Sequence, residues 1–157
     1  MTLWLTATTA LACATMGGIF FAFSSFVMPA LGRIAPGEGI RAMQRINIDV
    51  FHWSFVVAFF GTPIACVAVA GLAVWRWDGP GALYSVVGCA VYLFGSLLVT
   101  AAGNVPRNNA LAKIEANAVD AAGEWSRFAI GWTRWNHVRT VASLAAAGAF
   151  VAALVAM

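Results

Sequence analysis

Charge is what this chain has least of. Asp, Glu, Lys and Arg together make up 10% of its 157 residues, where a soluble domain carries roughly 25%. That shortage excludes an ordinary soluble fold. With 62% hydrophobic residues and a mean hydropathy of +0.84, the chain reads as an integral membrane protein. Acidic residues are fewer than basic ones, six against nine, for a net charge of +3. Membrane topology itself demands a cationic excess on cytoplasmic loops, so the charge does not call for a nucleic-acid partner. Cysteine is also scarce. Cys13, Cys66 and Cys89 lie in apolar runs, are odd in number and form no CxxC pair, so they read as small packing residues rather than metal or redox groups. Histidine is rarer still, with only His52 and His137. The N-terminus has no basic n-region, and its apolar run outlasts the roughly 7–15 residues of a signal peptide core, so a retained first span is expected.

What the chain does have is four long uncharged windows. A hydrocarbon core about 30 Å thick takes about 20 helical residues to cross. Windows that meet this requirement run over 3–31, 50–75, 83–102 and 140–157. Lipid cannot satisfy open backbone groups, and no strand-length alternation points to a barrel. The fold class is therefore all-α, a four-transmembrane-helix bundle in one integral membrane domain spanning 1–157. The second and third spans are joined by RWDGPG, residues 76–81, a tight Gly/Pro turn. The other connections, 32–49 and 103–139, must share one side of the membrane, and they hold eight of the nine Lys and Arg residues. The positive-inside rule makes that side cytoplasmic and leaves both termini outside, as for a protein of the cytoplasmic (inner) membrane.

Both long connections carry helical patterns. The stretch after Pro36 and Gly37 places Arg41, Arg45 and Asp49 four residues apart on one face, and it reads as an extension of the second span's helix. Residues 103–139 read as two helices. The first is capped by Asn108 or Asn109, carries Leu111, Ile114 and Ala118, and ends at Gly123. The second has Trp125, Phe128, Trp132 and Trp135 at i, i+3, i+7 and i+10, opposite Glu124, Arg127 and Arg134. That is the pattern of an amphipathic helix lying in the interface just before the last span. Small residues recur four apart at Ala10, Ala14, Gly18 and Ala22 and at Ala145, Ala149 and Ala153. Such faces pack helices closely, within one chain or in a homo-oligomer.

Any chemistry must come from the polar residues gathered at the cation-rich end. These are Gln44, Arg45, Asn47, Asp49 and His52 from the first connection. From the third come Asn104, Arg107, Asn108, Asn109, Trp132, Trp135, Asn136, His137 and Arg139. His137 sits between an amide and an arginine, where an imidazole can take a proton and a guanidinium can hold the resulting anion. The plainer alternative is that His137 bonds a carbonyl while Arg139 snorkels to headgroups. The tryptophans are either an interfacial belt or the walls of a slot for a flat ligand. NVPRNN either ends the third span and caps a helix or contributes amides to a site. Two histidines fall short of a zinc site's three or four ligands, so no metal is expected. If a metal or haem is bound, His52 and His137 are its ligands.

Taken together, GGIFFAFSSFVMPAL (Gly17 to Leu31), AMQRIN (Ala42 to Asn47), NVPRNNALA (Asn104 to Ala112) and W-x6-W-x2-WNHVR (Trp125 to Arg139) resemble the anthrone oxygenase-like family of small four-span membrane proteins. The resemblance implies an oxygenase without a cofactor, acting on an apolar, planar anthrone- or quinol-like small molecule that partitions into the lipid bilayer. A base removes an acidic C–H proton, the carbanion reacts with O₂, and loss of water gives the quinone. On that reading His137 is the base, and Arg139 and Asn136 hold the oxyanion. Gln44, Asn47, Asn104, Arg107, Asn108, Asn109, Trp132 and Trp135 bind the substrate. One departure from the family pattern is Val50-Phe51-His52-Trp53 at the start of the second span. It keeps open a non-enzymatic alternative: a protein that binds haem, a metal or a quinone, or a structural subunit of a membrane complex.

Overall fold

Apolar segments of this length can bury their backbone groups in lipid only as helices, and the architecture follows from that constraint. The structure, a computed structural model, describes residues 2–77 and 79–157. Among those residues there are five helices and no strand: α1 (Thr2–Leu31), α2 (Pro36–Asp49), α3 (Trp53–Arg76), α4 (Pro80–Leu111) and α5 (Ala121–Val155). All but α2 are long and apolar enough to cross a bilayer, so this is a multi-pass membrane protein built as a four-span helical bundle.

Three local expectations change. First, α2 does not run on into α3, because residues 50–52 break the helix and His52 is extended at ψ 141°. The two helices bury different faces. Ile40 and Met43 of α2 pack on Trp125 and Phe128, whereas α3 packs on α1 through the membrane core. No single straight helix serves both partners. Second, α4 continues to Leu111, so Asn108 and Asn109 lie inside it rather than capping a new helix. Pro106 would ordinarily stop a helix by leaving a carbonyl unpaired and crowding the preceding turn. Here the turns just before it widen to π-helical geometry over Leu93–Leu98 and Thr100–Asn104, which accommodates the ring. Third, the amphipathic segment ahead of the last span is present but continuous with it. Gly123 falls inside the 35-residue α5, which begins at Ala121.

Two apolar cores result. The membrane core joins Met16 and Phe20 of α1, Cys66 of α3, Tyr92 of α4 and Phe150 of α5. The three cysteines are free thiols within it, with Cys13 Sγ 3.7 Å from Cys66 Sγ. The second core lies at the cation-rich end and joins Met28, Ile40, Met43, Leu111, Trp125, Phe128 and Trp132. Trp125 and Trp132 are therefore core residues rather than an interfacial belt. Trp135, at 39% exposure, remains at the surface.

The close approach of α1 to α5 falls one residue away from the expected stripe. A Cβ on Gly17 would lie 2.8 Å from the Leu144 side chain, whereas one on Gly18 would meet nothing within 4 Å. Ala145 likewise faces outward.

Candidate functional site

The two long connections meet as a lid over the bundle. Gln44 donates to the Leu111 and Ile114 carbonyls at 2.9 and 3.0 Å, in the turn just past the end of α4, where the Leu111 carbonyl also accepts from the Ile114 N–H. Arg41 donates to Asn117 Oδ1 at 3.1 Å instead of joining the Arg45–Asp49 pair at 2.8 Å. These contacts hold α2 across the mouth of the bundle.

Beneath α2 lies a cavity of about 640 Å³ to which all five helices contribute. That volume is in the range of small-molecule sites. Most of its wall is aromatic and aliphatic: Phe20 and Phe23 from α1, Phe55 and Phe59 from α3, and Trp132 from α5. The polar part is compact, consisting of Gln44 and Asn47 from α2, Thr100, Asn108 and Asn109 from α4, and Arg139 from α5.

Arg139 is the unusual member. It is 6% exposed within a membrane-spanning helix, where an ionisable side chain is costly and marks function. No carboxylate among the described residues pairs with it. Its Nη2 donates to Asn136 Oδ1 at 2.5 Å and its Nη1 to Thr100 Oγ1 at 3.3 Å. The guanidinium carbon lies 4.2 Å from the Phe20 ring centre and 5.2 Å from that of Trp132, so the cation stands between two π faces. Its Nε is buried without a partner. All of its direct hydrogen-bond partners are neutral, so the positive charge is oriented but not cancelled.

Asn136 sets that orientation. It is fully buried, and its Nδ2 donates to the Phe20 carbonyl and to Ser24 Oγ, both at 2.6 Å. These bonds tie α5 to α1 beside the widened Phe23–Val27 turn. π-Helical turns of this kind concentrate at functional sites. The three among the described residues face the same part of α5, since Ser24 in α1 meets Asn136, and Ser96 and Thr100 in α4 meet Ser143 and Arg139.

The other candidates divide clearly. Trp132 donates through Nε1 to Asn108 Oδ1 at 2.8 Å, so ring and amide position each other. Asn104 is buried and donates to the Trp132 carbonyl at 3.2 Å; it braces the wall without lining it. Asn47 lines the cavity with a buried, unpartnered Nδ2. Arg107 bonds the Gly103 carbonyl at 2.7 Å and stacks on Trp135, both outside the cavity.

The histidines are not brought to the cavity. His137 is exposed and does not line it, because successive helical residues are rotated by about 100° and Asn136 and Arg139 take the inward positions. His52 is exposed at the α2–α3 break, with Nδ1 2.9 Å from Ser54 Oγ. Neither histidine belongs to a group of three or more His, Cys, Asp or Glu among the described residues.

Phe20, Thr100, Phe55 and Phe59 escaped the sequence reading. Only the phenylalanines had a legible signal. Phe51, Phe55 and Phe59 recur every fourth residue, and the last two stack at 5.7 Å.

These features define a class: a multi-pass membrane protein whose helical bundle holds a mostly apolar cavity against one uncompensated buried cation. The chain belongs to the anthrone oxygenase family, which it matches over residues 50–149. The matched region includes Thr100, Asn104, Asn108, Trp132, Asn136 and Arg139, and excludes Gln44 and Asn47. No curated protein and no solved structure shows significant similarity to the chain.

Proposed function

We propose that the protein oxidises a planar, apolar substrate bearing an acidic methylene, of the anthrone type, with O₂ and without a cofactor. The single observation that carries this reading is Arg139, a buried guanidinium at the cavity wall with neutral partners and a free Nε. A preorganised cation in an apolar site stabilises a developing oxyanion far more than water can. Family membership supports the same chemistry.

Arg139 and Asn47 face the substrate oxygen, and the phenylalanines hold its rings. Among the described residues Arg139 is the one ionisable side chain lining the cavity, so its charge raises the acidity of the methylene and the proton passes to water at the Asn108–Asn109 end. Electron transfer from the resulting carbanion to O₂, followed by recombination, forms the C–O bond. The peroxide takes back a proton, then loses water as the remaining C–H proton departs and the carbonyl forms. One substrate and one O₂ thus become one quinone and one water. His137 lies outside this scheme.

The test is oxygen uptake and quinone absorbance of the purified protein in nanodiscs with an anthrone, and the two should rise one to one. A bound but unconverted substrate would leave a quinone- or phenol-binding protein instead. In the same assay His137→Ala should retain most of the rate. A general base contributes about 10²–10⁴-fold, so a loss on that scale would return the base to His137. The cation-rich end that carries α2 faces the cytoplasm on this reading, with both termini outside in the cytoplasmic membrane. A C-terminal reporter active only in the cytoplasm would reverse the assignment.

A further inference from the structure

The walls of the cavity differ in how they meet their surroundings. On the side of the cation-rich end the cavity is roofed by α2, latched to the end of α4 through Gln44. Between α3 and α4 it has no such cover. α3 packs against Pro80–Tyr92, the first part of α4, and no comparable packing joins it to the part beyond. Two apolar lining residues on the spanning helices flank the resulting gap, Phe60 of α3 at 53% exposure and Val105 of α4 at 42%. At the depth of a membrane-spanning helix, that exposure is to lipid. The cavity therefore has a charged end at Arg139 and an apolar end open to acyl chains.

From this geometry we infer that the substrate is a tailed amphiphile taken sideways from the bilayer: a flat ring whose carbonyl oxygen meets Arg139, carrying an aliphatic chain that leaves through the gap between α3 and the second half of α4. The inference rests on the oxyanion role given to Arg139 above and specifies the substrate class for that site. A chain in the gap exchanges one apolar environment for another, so its length should matter little to affinity. The gap permits the tail without drawing free energy from it. A closed pocket would exclude the same molecule by overpacking.

The test uses the full-length protein in nanodiscs, with a compact anthrone and the same anthrone carrying a long linear alkyl chain. Both affinities are expressed as mole fraction in the bilayer. The expected result is that the two bind and turn over within about threefold of one another, a difference under 1 kcal/mol. Narrowing the gap with Val105→Trp should weaken the tailed molecule by at least about tenfold relative to the compact one. Wild-type protein that converts the compact anthrone but rejects the tailed one would overturn the lateral gap and leave the oxygenase reading standing. A Val105→Trp variant that treats both molecules alike would also overturn it, because the chain would then leave by another route. If neither molecule binds, and Arg139→Gln changes nothing, the substrate class and the oxygenase reading fall together. Circular dichroism and melting of Val105→Trp separate a narrowed gap from a misfolded bundle. Should that variant fail to fold, Phe60→Trp on the opposite side of the gap carries the same comparison.

Discussion

Replacing Arg139 with glutamine should cut anthrone oxidation by about 10²–10³-fold, the scale observed when one preorganised oxyanion donor is removed. The helical spectrum should stay intact. The expectation follows from the side chain's surroundings. Arg139 donates only to Asn136 Oδ1 and Thr100 Oγ1 and has an Nε with no partner, so in the empty protein its charge is not compensated by a carboxylate. A buried charge without a counter-ion is a cost to folding, and glutamine removes that cost along with the function. Stability in denaturant should therefore hold or rise while turnover collapses. A variant that loses both would make Arg139 a structural residue, and one that keeps its rate would remove the guanidinium from the mechanism. Arg139→Lys should recover only part of the rate, because an ammonium is a point charge without the planar fork that spans Asn136 and Thr100.

The second large effect concerns the neutrality of Asn136. Asn136→Asp places a carboxylate against the guanidinium, where the amide oxygen now sits at 2.5 Å. An anion there cancels the field that the substrate oxyanion is meant to feel. Oxidation should fall about 10²-fold or more, as for loss of the cation itself. The change also removes the Nδ2 donor to the Phe20 carbonyl and Ser24 Oγ. Ser24 can turn to donate to the new carboxylate, whereas the carbonyl is left without that donor, at a stability cost of about 1–2 kcal/mol. Asn136→Leu removes the amide without adding charge. It should cost about 2–3 kcal/mol, since it leaves buried groups unsatisfied on both α1 and α5. The informative comparison is between the two variants. If the aspartate variant is the more stable yet the less active, the neutral partner is there for the charge it leaves exposed to the substrate. Equal activity of both with the wild type would sink the oxyanion role.

Much of this protein was legible in its residues. Shortage of charge and four apolar windows are enough to require a four-span helical bundle, because the bilayer leaves the backbone no other solution. The count of four spans placed both long connections at one end, the end that holds most of the Lys and Arg residues, and the structure joins them there through Gln44 and Arg41. The amides of NVPRNN and the WNHVR segment also marked the region where the cavity lies.

The tertiary structure decided which members of that region turn inward. Asn136, His137 and Arg139 are near neighbours in sequence, and nothing in their order says that two face the core and one faces out. The rotation of α5 decides it, and that rotation is set by distant packing: Trp125 and Phe128 against α2, and the α5 backbone beside Leu144 against Gly17. The roles of the tryptophans depended on the same contacts, since an amphipathic stripe looks alike whether it meets headgroups or another helix. The π-helical turns that bring Ser24, Ser96 and Thr100 toward α5 carry no motif of their own. They arise where helices already packed side by side must also accommodate a proline and a buried polar cluster. Composition and charge pattern thus determine the class of fold and its polar end, because lipid and water act on every residue independently. A catalytic constellation depends on helix rotation, which only the packed partners determine.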